Sequence, residues 1–263
     1  MKKLILAFSF LTIIPMPHVP YDVEDKDVGN SAVLFPVVGL FQGLLLVLLH
    51  MILLKVVPVE IAAGLLIVLL VISNGGFHLD GLSDTFDALA SRKDRERMLD
   101  IMKGSTAGPV GVVSIVLVIL LKYLLLKNVL TMQALPFYIP LILFPVFGRW
   151  VMVPAMYHGR SARHDGLGRT FIENTGIREY VNAFVMLGVI TAGIWIYTAK
   201  FTPVHVLLPV IFVPLAIVYA FGFLGALFCN YRFGGLTGDN LGAISEIGEI
   251  LFLLSFLVVS ACK

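Results

Sequence analysis

Seven apolar runs, each close to the length that crosses a bilayer, constrain this chain more than any other feature. They cover roughly residues 33–54, 59–77, 109–127, 134–157, 181–198, 204–229 and 246–262. A transmembrane helix needs about 20 predominantly apolar residues, and only helices and closed barrels span lipid. The runs lack the alternation of apolar and polar residues that barrel strands show. We therefore predict an all-α, polytopic membrane protein with about seven transmembrane helices in a single domain, residues 1–263.

The composition agrees with a membrane protein. Hydrophobic residues make up 59% of the chain and charged residues only 14%, whereas about 25% of a soluble domain is charged. We expect the lipid bilayer and small molecules, not nucleic acid, to be its partners. Cys229 and Cys262 lie in apolar runs and form no disulfide framework or metal-binding pattern.

The N-terminus has a short apolar segment of its own. Leu4 to Ile14 is only eleven residues long, too short to span a bilayer. Pro15 and Pro17 follow in place of a small-residue cleavage site, so the segment does not read as a cleaved signal peptide. We predict a retained re-entrant or interfacial helix.

The basic residues predict the orientation in the membrane. Of 19 Lys and Arg, 13 fall in the N-terminal segment and in the loops 78–108, 158–180 and 230–245, which share one side. Four fall on the other side, and two, Lys122 and Arg149, lie within spans. Positive loops stay in the cytoplasm. All of the acids except Glu60 fall on this same side, so we predict that the cytoplasmic face carries the polar chemistry.

Three aspartates follow the second apolar run. If residues 78–88 continue the helix, Asp80, Asp84 and Asp87 lie at i, i+4 and i+7 on one face. Like charges repel one another there, and a low dielectric strengthens the repulsion. A hard divalent cation would relieve it, and a site of oxygen ligands alone suits Mg²⁺ or Mn²⁺.

A second glycine-rich acidic stretch, residues 234–249, contains Asp239 and Glu246 seven residues apart. Aligned with residues 75–88, it pairs Asp80 with Asp239 and Asp87 with Glu246, which suggests a diverged internal repeat. We predict that these five carboxylates hold the metal, with Glu249 a weaker candidate. The alternative is that acids at helix ends only cap the helices and face water.

His78 precedes the first aspartate by two residues. It is a candidate catalytic residue together with Asp80 and Asp84, because a histidine or a carboxylate free of metal can accept a proton. The alternative is a structural histidine at the membrane interface.

Basic residues and glycines near the same face are candidates for binding phosphate. Arginine forks bind phosphate in a bidentate manner, and glycines let backbone N–H groups approach an anion. An ordinary positively charged cytoplasmic loop is the alternative. The candidates are Lys103, Ser105, Arg160, Arg163, Gly166, Gly168, Arg169, Arg232 and Thr237.

Acids for metal and bases for phosphate together indicate transfer between phosphate esters. A CDP-alcohol or polyprenyl phosphotransferase fits less well, since no arginine follows the acids of "LSDTFD" as that family's motif requires. A cation transporter would carry its acids at mid-span, whereas these acids are predicted at span ends. A non-catalytic scaffold leaves the two acidic stretches unexplained.

The chain resembles the cobalamin synthase, or adenosylcobinamide-GDP ribazoletransferase, family. The family hallmark "HLDGLADT-x-DG" corresponds to "HLDGLSDTFDA" at residues 78–88. A later hallmark, "GG-x-TGD-x-LGA-x-x-E-x-x-E", corresponds to residues 234–249, and "GLG-x-x-F" corresponds to residues 166–171. The opening "FLTIIPMP" is also similar. Ser83 and Ala88 depart mildly from the pattern, and Gly104 stands where the family commonly has aspartate.

This resemblance implies a reaction, with the active site on the cytoplasmic face of a bacterial or archaeal cell membrane. The ribose hydroxyl of α-ribazole, or of its 5′-phosphate, attacks the phosphate joined to the cobinamide of adenosylcobinamide-GDP. GMP leaves, and adenosylcobalamin or its 5′-phosphate forms. The family cofactor is Mg²⁺, which agrees with the oxygen-ligand site. A homo-oligomer, or association with other cobalamin-assembly enzymes, is left open.

Overall fold

The computed structural model describes residues 1–17, 23–104, 106–132, 136–200 and 204–261, and these residues are almost entirely helical. They contain no strand, only an isolated bridge between Ser161 and Leu236. The helices are α1 (Lys2–Leu11), α2 (Asp25–Ser31), α3 (Phe35–Leu53), α4 (Val59–Ser73), α5 (Phe77–Ala90), α6 (Arg95–Ile101), α7 (Pro109–Thr131), α8 (Tyr138–Trp150), α9 (Met152–His158), α10 (Leu167–Glu173), α11 (Ile177–Thr198), α12 (Val204–Arg232) and α13 (Gly238–Ala261).

Six helical segments of this structure are long and apolar enough to cross a membrane: Asp25–Leu53, α7, Tyr138–His158, α11, Leu208–Arg232 and α13. There are seven such segments if α4 and α5, which are joined by a sharp bend, are taken as one crossing. The prediction of an all-α polytopic protein is thereby confirmed. The short N-terminal helix is also present as α1, whose ten residues are too few to span a bilayer.

The segment Tyr138–His158 forms the centre of the bundle, because the whole of its apolar stretch is buried inside the protein. Helices α3 and α13 pack on it. Helix α7, in contrast, leaves large apolar side chains exposed along one side, as Val112, Val116, Leu120 and Leu124 show. Such a face suits contact with lipid tails.

Residues 78–88 are helical, as the spacing of the aspartates requires, but α5 does not extend the axis of α4. The two axes meet at 87°. Gly75 and Gly76 form the corner with φ values of 62° and 73°, a left-handed conformation that costs little only for glycine. The corner turns α5 away from the direction of the span, so that its aspartates lie at the end of the bundle.

Helix α13 begins eight residues earlier than the predicted span, at Gly238 rather than at residue 246. The predicted loop 230–245 is therefore mostly helical. Helix α13 crosses α5 closely, because a Cβ on Gly81 would lie 2.8 Å from the Asp239 Cα and one on Gly242 would lie 3.1 Å from the His78 Cα. Only residues without a side chain allow these backbones to approach so closely.

Candidate active site

The crossing of α5 and α13 brings the two acidic stretches together. Asp80 is exposed and Asp84 half-buried on α5, and Asp239 stands in the first turn of α13. Burial, together with the negative charges of Asp80, Asp239 and Asp87, raises the pKa of Asp84 to about 7. The aspartates therefore repel one another, as the sequence predicts for Asp80, Asp84 and Asp87.

The start of α13 is fixed by reciprocal hydrogen bonds. The Thr237 hydroxyl accepts from the Asn240 backbone N–H at 3.2 Å, and the Asn240 side-chain oxygen accepts from the Thr237 N–H at 3.0 Å. Asn240 also donates to the Thr85 hydroxyl on α5 at 3.1 Å. Thr237 was predicted to bind substrate, and the structure places it as the residue that caps α13 and orients Asp239.

Asp87 contacts the start of another helix. Its carboxylate accepts backbone N–H bonds from Gly108 at 2.6 Å and from Gly111 at 2.8 Å. These groups lie in the unpaired first turn of α7, where a negative charge also interacts favourably with the helix dipole. The Asp87 carboxylate thus caps the start of α7, so it is not free to share a ligand with Asp84.

Glu246 does not join the aspartates. It is buried two turns along α13 from Asp239, where its carboxylate pairs with Lys122 of α7. Glu249 pairs with the same Lys122 and with Arg149 of α8. The side chains of all four residues are at most 3% exposed. The acids therefore do not all lie at span ends. The sequence analysis disfavoured a cation transporter because its acids would lie at mid-span, and the position of Glu246 and Glu249 removes that argument.

The sequence analysis did not predict this buried quartet of Lys122, Arg149, Glu246 and Glu249, although the sequence contains a sign of it. Lys122 and Arg149 were visible as cations within predicted spans, and charges at that depth need partners. The only described acids within reach of Lys122 are Glu246 and Glu249. Placing the last span too late concealed the pairing, because it put both glutamates at the membrane surface.

His78 lies in the first turn of α5 and is buried. Burial, together with the positive charges of Arg149 and Lys122, lowers the pKa of His78 well below its usual value. Asn74 lies 3.3 Å from its Nδ1 atom. Beside it, a cavity of about 350 Å³, here called the aromatic cavity, is lined by Phe10, Phe77, His78, Asp80, Met152 and Asp239.

A second cavity of about 610 Å³, here called the polar cavity, is lined by Arg95, Asp100, Lys103, Arg163, His164 and Asp165. It joins Lys103 and Arg163, two of the predicted phosphate-binding residues. The Arg163 guanidinium donates to Asp239 at 3.0 Å. Since Asp239 also lines the aromatic cavity, this ion pair connects the two cavities.

The other predicted phosphate-binding residues have different positions. Arg160 donates to the Gly234 carbonyl at 2.8 Å and holds the loop before α13, whereas Arg169 donates to Glu173 at 2.9 Å. Gly166 precedes α10 with a φ of 89°, and Arg232 lies in the last turn of α12. A Cβ on Gly168 would lie 2.8 Å from the Gly238 nitrogen. Ser105 lies outside the described residues.

Among the described residues, no three His, Cys, Asp or Glu side chains are arranged as a ready metal site. The chemistry of the donors nevertheless fits Mg²⁺, because Asp80, Asp84 and Asp239 offer hard oxygen ligands. The carboxylates of Asp80 and Asp84 take part in no hydrogen bond or ion pair within the described chain. Their mutual repulsion is the conflict that a divalent cation would relieve.

Comparison with known proteins identifies the family. The family model described as cobalamin-5-phosphate synthase matches residues 3–257. The chain belongs to this family. An adenosylcobinamide-GDP ribazoletransferase of Thermoanaerobacter pseudethanolicus is 35% identical over 264 residues, which cover 98% of each chain. Proteins of the same name are 34% identical in Fusobacterium nucleatum, over 98% of each chain, and 37% identical in Geotalea daltonii, over 97% of this chain and 96% of that one. No solved structure matches.

Proposed function

We propose that this chain is an adenosylcobinamide-GDP ribazoletransferase. It joins adenosylcobinamide-GDP to α-ribazole, or to α-ribazole 5′-phosphate, and releases GMP. The observation that carries this proposal is the match to the cobalamin-5-phosphate synthase family over residues 3–257. The relatives that cover 98% of the chain bear the name of this activity. The crossing of α5 and α13, which brings Asp80 and Asp84 of one family hallmark near Asp239 of the other, supports it structurally.

The reaction exchanges a phosphoanhydride bond for a phosphate ester bond. The ribose hydroxyl oxygen of the acceptor bonds to the phosphorus attached to cobinamide, and the bond from that phosphorus to the oxygen of GMP breaks. GMP leaves with the bonding electron pair, and the hydroxyl proton passes to a base. His78 lines the aromatic cavity beside Asp80 and Asp239, so it is the candidate base while the aspartates hold the metal.

Asp80, Asp84 and Asp239 are the residues that would hold Mg²⁺. Bound there, the ion would neutralise charge on the diphosphate and on the departing GMP. Asp87 and Glu246 are left out of this set because their carboxylates already bind the start of α7 and Lys122, respectively. Arg163 and Lys103 line the polar cavity beside the aspartates and suit the phosphates of the nucleotide.

The direct test uses purified protein in detergent with adenosylcobinamide-GDP, α-ribazole and Mg²⁺. We expect GMP and adenosylcobalamin to appear in equal amounts. A parallel reaction without α-ribazole measures hydrolysis alone. GMP release that does not depend on α-ribazole would contradict the transferase proposal and indicate a pyrophosphatase instead.

Turnover should require Mg²⁺ or Mn²⁺, because carboxylates alone repel the diphosphate. Excess chelator should abolish GMP release, and either ion should restore it. Zn²⁺ should restore it poorly, since the site offers no thiolate or histidine cluster. Full turnover in excess chelator would rule out the metal.

The active site should face the cytoplasm, since 13 of the 19 Lys and Arg fall on its predicted side of the membrane. The test uses a reporter enzyme that is active only in the cytoplasm. Fused after Arg92, which follows α5, it should be active. A fusion after Lys127, near the far end of α7, should show the opposite behaviour. The same result at both positions would contradict this orientation.

A further inference from the structure

The aromatic cavity has walls of two kinds. On one side Phe10 is held in place by ring contacts, with centroids 4.2 Å from Phe171 and 5.9 Å from Phe35. Phe77, the first residue of α5, is 59% exposed although it lies beside the buried His78. A large aromatic side chain left exposed at a cavity is available to stack against a flat ligand.

The other wall of the aromatic cavity is polar. Asp80, His78 and Asp239 line it, and they belong to the proposed reaction site. The cavity volume of about 350 Å³ falls in the range of about 300–1,000 Å³ that is usual for small-molecule sites. The size of the cavity and its one aromatic and one polar wall therefore suit a ligand with a flat apolar body and a hydroxyl-bearing end.

The polar cavity suits a different ligand. Its lining includes the cations Arg95, Lys103 and Arg163, which can bind phosphates, together with the acids Glu96, Asp100 and Asp165. The ion pair between Arg163 and Asp239 lies between the two cavities. In phosphoryl transfer the attacking and leaving oxygens lie roughly in line on opposite sides of the phosphorus. The aromatic cavity reaches this ion pair through Asp239 and the polar cavity reaches it through Arg163, so a phosphate held at the pair would have one cavity for each of the two oxygens.

We infer that the aromatic cavity binds the acceptor nucleoside, with its flat base against the wall that holds Phe10 and Phe77 and its ribose toward Asp80 and Asp239. The nucleotide that leaves then occupies the polar cavity. This inference rests on the proposed function, since it assigns the two substrates of that reaction to separate cavities. It makes Phe77 a residue that determines acceptor affinity without taking part in bond making.

The first test compares the KM values of the two substrates. Stacking of a base on an aromatic side chain contributes about 1–3 kcal/mol by alanine substitution. Phe77→Ala should therefore raise the KM for α-ribazole about tenfold or more and leave the KM for adenosylcobinamide-GDP within about twofold. Phe77→Tyr keeps the ring and should restore the wild-type KM. Phe212→Ala is the matched control, because Phe212 is 58% exposed on α12 and lines neither the aromatic cavity nor the polar cavity.

The second test measures binding without turnover. In Phe77→Trp, added α-ribazole should quench the new tryptophan fluorescence in the absence of the other substrate, and in Phe212→Trp it should not. An acceptor KM that is unchanged in Phe77→Ala, with an active wild-type protein, would overturn the inference. Quenching in both tryptophan variants would also overturn it. A wild-type protein that releases no GMP would instead overturn the proposed function, and the quenching test would still decide whether the cavity binds the nucleoside.

Discussion

Asp84→Asn should reduce turnover at least about a thousandfold, a loss of ~4 kcal/mol in transition-state stabilisation, while the protein stays folded. Asparagine has nearly the same size and removes one negative charge from a group of mutually repelling carboxylates. The free energy of unfolding should therefore stay the same or rise. Single-turnover release of GMP measures the first effect, and thermal unfolding in matched detergent measures the second.

Glu60→Gln is the control for this substitution. Glu60 is also a carboxylate on a helix of the bundle, but it lies at the opposite end of α4 in an exposed ion pair with Lys127. Its loss should change turnover less than about tenfold, or ~1.4 kcal/mol. If Asp84→Asn lowered the unfolding temperature and left turnover of the folded fraction intact, Asp84 would be a structural residue.

The sequence predicted the helical elements well because long apolar runs leave few alternatives. It also placed Asp80, Asp84 and Asp239 in one neighbourhood, since both acidic stretches follow glycine pairs on the same side of the membrane. It did not predict the corner at Gly75 and Gly76. An apolar run that ends in glycines is compatible with a loop, a kink or a perpendicular helix, and only packing against α13 selects among them.

The predicted start of the last span, residue 246, was wrong, and the structure shows the physical reason. Its first turns carry glycines and acids, a composition that favours a loop in an isolated segment. In the folded protein Gly242 permits close contact with α5, and Lys122 neutralises Glu246. Both compensations come from residues far away in sequence, so local propensity does not reveal them.

Asp87 shows the same limit at the level of one side chain. Its spacing from Asp80 and Asp84 is what a shared ligand set requires, and that spacing is real. The carboxylate nevertheless accepts from the N–H groups of Gly108 and Gly111, which are more than twenty residues away. Helical periodicity predicts which face a residue occupies but not which donors another helix brings to that face.

Lys122→Met should destabilise the folded protein by about 3–5 kcal/mol. Methionine fills much of the space of the lysine stem, but among the described residues it leaves Glu246 without an ion-pair partner and Glu249 with Arg149 alone. An uncompensated charge buried among helices carries a large desolvation cost, because no water reaches it. Thermal or denaturant unfolding in detergent should show the loss directly.

Charge balance provides the control that separates this cause from a packing defect. The double variant Lys122→Met with Glu246→Gln again has one buried cation and one buried anion, so it should recover part of the lost stability. Lys127→Met removes a lysine from the same helix, but its partner Glu60 is exposed, and such pairs contribute at most about 1 kcal/mol. If Lys122→Met were no less stable than Lys127→Met, or if the double variant were the least stable of the three, the quartet would not be held together by charge compensation.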